Sequence, residues 1–309
     1  MSWKLLLQER GILVADGAWG TELAERGLSG GQAPELWNLT RPETVLDLSQ
    51  RYVDSGSDII LSNTFGGSRI KLQKSHIADR TTEINRLGIE LSRRAADGVD
   101  RPVLVFASVG PTGELLQPLG ERTENELADC FTEQIGACID AGADGVVLES
   151  MIDLGELRIA LQAARDCGSP TVVACMTFEK GKRGYATLMG VTPEHASSAL
   201  QDAGADIVGS NCGSGIADLI AIAALMRRST NRPLWIKPNA GLPQLVGGQT
   251  VYSETPEQMA SCLGDLLESG ANIVGGCCGT TPRHVRLMAD AVARHRSRAR
   301  ELMQNVVLQ

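Results

Sequence analysis

At 309 residues, 43% hydrophobic, 21% charged and only 4% aromatic, the chain has the make-up of a globular enzyme with enough residues to bury a large core. Its formal net charge of −8 excludes nucleic acid as a partner, because phosphate contacts need clustered Lys and Arg. No apolar stretch approaches the roughly 20 residues that span a bilayer, so the expectations are no membrane partner, a cytoplasmic location, and eight cysteines free rather than disulfide-bonded.

In chain order, the first ten residues carry three leucines and then charge, too little for a secretory leader. A strand over 12–17 ends in Asp16-Gly17, with Trp19 just beyond and Trp37 further on. Thr40-Arg-Pro-Glu43 reads as a threonine-capped helix start. Strands follow over 58–64, ending in Asn63-Thr64, and over 103–110, whose Gly- and Pro-rich sequel 110–122 reads as an active-site loop. Next come 145–150 with Glu149 near its end, 171–178, and a second threonine cap at Thr192-Pro-Glu194. The last strands are 206–212 ending in Cys212, 233–239 ending in Asn239, and 272–278 ending in Cys277-Cys278, after which Thr281-Pro282 starts a final helix. That helix carries the basic cluster 295–300, read as a solvated end.

These strands are continuous apolar runs, as expected when both faces of a parallel sheet are covered. Four are announced by one pattern, Ser55-Gly-Ser-Asp58, Ala141-Gly-Ala-Asp144, Ala203-Gly-Ala-Asp206 and Ser269-Gly-Ala-Asn272, in which the glycine ends a helix in the left-handed conformation. Eight alternating β/α units predict a single (β/α)8 TIM barrel over residues 1–309, with the polar candidates at strand C-terminal ends, where barrel enzymes place their sites. A doubly wound sheet is the alternative, but no Gly-x-Gly-x-x-Gly turn follows the first strand. The surface helices carry no interface pattern that assigns an oligomeric state.

The run Gly275-Gly-Cys-Cys-Gly-Thr-Thr-Pro282 suits a metal better than a core. Adjacent residues on a strand face opposite ways, so both thiols can ligate only where the strand breaks into a turn, which the flanking glycines allow. Cys212 lies in a similar Gly- and Ser-rich setting and reaches the pair only if the barrel closes. Three thiolates leave one position of a tetrahedral zinc open, a catalytic arrangement. Such a zinc is a weak Lewis acid toward carbonyls but deprotonates an incoming thiol, which points to alkyl transfer to sulfur. A redox pair is the competing reading, and a vicinal disulfide is strained. Cys130, Cys138, Cys167, Cys175 and Cys262 read as small apolar residues, and His76, His195, His284 and His295 as solvated surface.

On these residues, with Asp16-Gly-Ala-Trp-Gly-Thr21, Ser62-Asn-Thr-Phe65, Gly110-Pro-Thr-Gly113, Asn211-Cys212 and Pro238-Asn-Ala-Gly241, the chain resembles the homocysteine S-methyltransferase family along nearly its whole length. The resemblance implies that Cys212, Cys277 and Cys278 bind Zn2+, that homocysteine sulfur completes the site, and that methionine is the product. It further implies that Asp16 and Glu149 hold the substrate ammonium, with Gly17, Asn63, Thr64 and the 213–215 backbone as further substrate contacts, and that Asn239 can fill the open metal position. The methyl donor is less legible. Trp19 and Trp37 are aromatics that could face a methylated cation, which favours betaine, although a further aromatic of animal betaine enzymes is replaced at Gly66 or Gly67. The alternatives are a separate corrinoid protein or methyltetrahydrofolate system, a sulfonium donor, and a non-catalytic zinc- or corrinoid-docking partner.

Overall fold

In a computed structural model, which describes residues 2–247 and 249–307, eight parallel strands form one sheet. They are β1 (Leu13–Val14), β2 (Ile59–Leu61), β3 (Leu104–Val109), β4 (Gly145–Met151), β5 (Val172–Met176), β6 (Ile207–Asn211), β7 (Leu234–Lys237) and β8 (Ala271–Val274). Each of β2 to β7 pairs with its successor, β8 pairs with β1, and a parallel bridge between Ala15 and Ile59 completes the circle. The eight expected strands and the TIM barrel are therefore present. Short antiparallel hairpins, Glu179–Gly181 with Gly184–Ala186 and Pro243–Val246 with Gln249–Tyr252, extend from the mouth after β5 and β7.

Strand side chains alternate with the period of two that a pleated strand imposes. Leu13, Ile59, Leu61, Leu104, Phe106, Val147, Val173, Cys175, Ile207, Trp235 and Ile273 point inward and fill the barrel. The helix α1 (Trp3–Arg10) closes its N-terminal end with Trp3 and Leu6. The alternate set, including Val14, Ile60, Val105, Val146, Val172, Val208 and Ile236, packs outward against the surrounding helices in a second, larger core. Gly209 lies in an inward row, and a Cβ there would lie 2.2 Å from the Trp235 carbonyl oxygen and 2.8 Å from Cys175 Sγ, so the close packing of these strands requires glycine.

The four announced turns place Gly56, Gly142, Gly204 and Gly270 at φ of 95°, 92°, 92° and 103°. The residue two positions on then bonds across the sheet. Asp58, Asp144, Asp206 and Asn272 accept from the backbone N–H groups of Val14, Val105, Val172 and Leu234, and each also meets an arginine, Arg10, Arg93, Arg165 and Arg227 respectively.

Thr192 caps its helix as expected, accepting from the His195 N–H. Thr40 does not: its hydroxyl donates to the Leu36 carbonyl inside the preceding turn, and Arg41 occupies the cap position before α2 (Pro42–Asp54). His284 is likewise not a surface residue. It is buried at the start of α3 (Pro282–Val307), where Nδ1 accepts from the Thr281 N–H at 3.0 Å and Nε2 donates to the Glu254 carbonyl at 3.2 Å.

Candidate metal centre and active site

Continuing the inward-facing rows beyond the apolar core leads directly to the site. The row through Phe106 runs on to Ser108, Val147 to Glu149, Ile207 through Gly209 to Asn211, and Trp235 to Lys237. Of these, Ser108, Glu149 and Lys237 line a cavity of about 540 Å3 at the C-terminal mouth, and Asn211 bonds Glu149 from behind it. Cys277, Cys278, Gly17, Trp19, Asn63, Phe65, Glu35, Lys71 and Thr112 line it as well, the last from the loop after β3.

The cysteine pair lies just past the end of β8, in a turn rather than on the strand. Gly279 takes φ +79°, and a Cβ there would collide with the Tyr252 ring. Cys212 follows β6 in the left-handed region at φ +61°, a conformation that non-glycine residues hold only where their surroundings impose it. Together these turns bring the Sγ atoms of Cys212, Cys277 and Cys278 within 4.8 Å of one another. Thiolates about 2.3 Å from a tetrahedral zinc stand about 3.8 Å apart, and Cys212 and Cys278 are separated by 3.9 Å.

The electrostatics match a ligand cluster. Hydrogen bonds from Cys277 and Cys278, helped by the Gly213 backbone and the Asn239 amide, pull the Cys212 thiol down to about 3. The same bonds push the other two thiols up, Cys277 to about 12. Tyr252 reaches over from its hairpin and bonds Cys278. Asn239 is buried with its Oδ1 lacking any partner, an acceptor beside the thiols that a cation would satisfy. Three convergent sulfurs and an orphaned oxygen fit a soft divalent metal.

Glu149 lines the cavity and is 7% exposed. It accepts from Ser108 Oγ at 2.5 Å and Asn211 Nδ2 at 3.3 Å. Burial pushes its carboxyl up to about 7, against the pull of Lys237. Asn211 also contacts Ser150, itself at φ +59°, and Cys277, tying the ends of β4 and β6 to the cysteine loop.

Several expected residues stand elsewhere. Asp16 is fully buried and off the cavity wall. Its Oδ1 accepts from Lys237 Nζ at 2.6 Å, while Oδ2 accepts from Trp19 Nε1 and the Leu61 N–H, so each oxygen already has a protein donor. Trp37 is 3% exposed, packed in the outer core with Arg41 against its ring, and cannot present a face to a donor. Trp19 does line the cavity. Gly17 and Asn63 are on the wall, but Asn63 spends its amide on Pro34 and Asn38. Thr64 is buried, its hydroxyl donating to the Ser108 carbonyl. The 213–215 backbone packs against Phe178 and Glu254 rather than the cavity.

Lys237, Ser108 and Tyr252 were not singled out from the sequence, and Asn211 only as part of the Asn211-Cys212 motif, with no role given to it. Lys237 could have been, as a charge at the end of an apolar strand, Leu234-Trp-Ile-Lys237, in line with a run of other polar strand ends.

The fold and site define a TIM-barrel protein with three convergent cysteines at its C-terminal mouth that could hold a metal ion. A family model described as homocysteine S-methyltransferase matches residues 13–292, and the chain belongs to that family. It is 34% identical over 301 residues to methionine synthase of Mycobacterium leprae and 34% identical over 299 residues to that of Mycobacterium tuberculosis. These alignments cover 92% and 91% of this chain but 24% and 25% of the relatives, so the chain spans about a quarter of their length. The metallated form of the homocysteine methyltransferase MmuM from Escherichia coli superposes with a TM-score of 0.79 over 93% of this chain and 98% of that one. At 19% identity, that likeness bears on the fold.

Proposed function

We propose that this chain transfers a methyl group to the sulfur of homocysteine, yielding methionine, at a zinc ion held by Cys212, Cys277 and Cys278. The observation that carries the reading is the convergence of three thiols at the barrel mouth, two of them, Cys277 and Cys278, lining its cavity, beside an unpartnered Asn239 oxygen. When bound, the zinc supplies the positive charge that lets an acceptor thiol shed its proton near neutral pH. Asn211 and Tyr252 hold Cys277 and Cys278 in place. The cavity walls exclude bulk water and hold donor and acceptor in contact, which raises the rate of an in-line displacement.

For the donor, Trp19 sets an aromatic face in the wall, and Lys71 adds a cation there, over the Phe65 ring. That mixture suits a molecule with both a methylated cation and a carboxylate, and betaine is the donor we favour. The test is methionine formation by zinc-loaded protein with homocysteine and betaine, dimethylsulfoniopropionate, S-methylmethionine, S-adenosylmethionine, methyltetrahydrofolate or methylcobalamin. Betaine turnover that Trp19→Ala weakens about tenfold in KM supports the assignment. Turnover with a corrinoid or folate donor alone overturns the betaine choice, and turnover that survives Cys278→Ser overturns the metal mechanism.

A further inference from the structure

From the cysteines the cavity continues around the rim in strand order. Trp19 and Glu35 line it from the loop after β1, Lys71 from the loop after β2 and Thr112 from the loop after β3. The Trp19 end is tied to the cysteine loop: the Ala18 N–H donates to Thr280 Oγ1 at 3.1 Å, and the Gly279 N–H to Thr21 Oγ1 at 3.2 Å. Two opposite charges in this lobe do not close on each other. Glu35, 2% exposed, lies against the Gly66 backbone and accepts from its N–H at 2.5 Å. A Cβ on Gly66 would lie 3.0 Å from the Glu35 Oε1, so the carboxylate occupies the space of the missing side chain. Lys71 rests its ammonium 4.6 Å from the centre of the Phe65 ring and makes no ion pair among the described residues. Burial disfavours both charges, and each favours the other across the gap. The other charged groups nearby have partners. Lys74 pairs with Glu114 at 2.9 Å and Lys237 with Asp16 at 2.6 Å, while Glu149 accepts from Ser108 and Asn211. Glu156 is buried behind the wall and accepts from both the N–H and the hydroxyl of Thr112.

The pair Glu35 and Lys71 is thus balanced in sum but polar from end to end, negative and aromatic toward the thiols and positive away from them. A lone cation or a lone anion would upset that balance in a poorly solvated space, whereas a zwitterion keeps it. A methylated cation has no N–H to donate, so it needs a negative charge and an aromatic face rather than a free lone pair. The bond from Glu35 to Gly66 is therefore no obstacle to it. A carboxylate at the other end gains a charge-assisted hydrogen bond from Lys71. We infer that Glu35 and Lys71 select the methyl donor: Glu35, with Trp19, holds the methylated cation facing the thiols, and Lys71 receives the donor's carboxylate. The donors taken are onium compounds that carry a carboxylate, and a methylated cation without one is a poor ligand. This rests on the methyl-transfer reading above and names the residues that read its donor.

The test is calorimetric binding to the zinc-loaded full chain. The ligands are betaine, choline, which lacks the carboxylate, and 3,3-dimethylbutanoate, the carbon isostere of betaine that lacks the cation. Betaine should bind about tenfold or more tighter than either. Lys71→Met should remove the preference over choline and keep that over 3,3-dimethylbutanoate. Glu35→Gln, which retains an acceptor for the Gly66 N–H, should do the reverse. A merely structural role would not give that crossed pattern, since a distorted cavity weakens all three ligands together. Equal weakening of all three in either variant overturns the proposal, as does wild-type protein that binds betaine no tighter than choline or the isostere. If betaine nevertheless yields methionine in those cases, the methyl-transfer reading stands without this donor subsite. If no donor of the panel above yields methionine, that reading falls and this proposal with it.

Discussion

Removing one member of a buried ion pair strands a charge with neither water nor partner, at a cost of about 3–5 kcal/mol. Lys237 and Asp16 are such a pair, 2% and 0% exposed. Asp16→Asn and Lys237→Met should each lower the unfolding free energy of the metal-free protein by that order in urea titrations, while the double variant recovers most of the loss. Glu149 makes a prediction of opposite sign. Burial pushes its carboxyl from 4.5 up to about 7, so between those values the folded state holds a proton that the unfolded state has released. The group therefore costs stability as pH rises through that window, approaching about 3 kcal/mol above it. Glu149→Gln should raise the Tm of the metal-free protein near pH 8 and leave it unchanged near pH 4.5.

At the scale of elements, the repeated Gly-x-Asp or Gly-x-Asn turns do more than end helices. Each acidic or amide side chain bonds the backbone of a neighbouring strand and an arginine, fixing strand register at the closed end of the barrel. Asp58 is the most buried of the three turn aspartates, and Asp58→Ala leaves the Val14 N–H and Arg10 without that carboxylate. Circular dichroism melts should show a loss of about 2–4 kcal/mol, larger than for the more exposed Asp144→Ala. The turns themselves were legible in the sequence because a glycine forced to positive φ is a local demand. Their cross-strand partners were not, since Arg10 and Asp58 meet only once β1 and β2 lie side by side. The same limit explains Asp16: a carboxylate at a strand end reads as a ligand for a substrate cation, and only packing shows that a protein ammonium already occupies it. Trp37 misleads in the converse way, because an aromatic near the mouth in sequence can still turn into the outer core.

For the whole molecule, barrel closure is what creates the site. Cys212 follows β6 and the pair follows β8, and the thiols meet because both strands end at one rim. That convergence was readable, as eight apolar runs with polar ends imply a closed barrel and a common face. The depth of the cavity and the charge on its floor were not, because they depend on which inward row each residue occupies. Hydrogen bonds within the metal-free cluster lower the Cys212 thiol and raise the other two, so metal uptake must release protons from the raised thiols. Apparent zinc affinity, measured by chelator competition, should rise with pH between about pH 6 and 8. The most direct test of the central claim is zinc-edge X-ray absorption of the full chain before and after adding an acceptor thiol. The account predicts three sulfur ligands and one oxygen or nitrogen before addition, and four sulfurs after it. Fewer than three sulfurs at the outset, or a shell that does not change when the thiol is added, would contradict it.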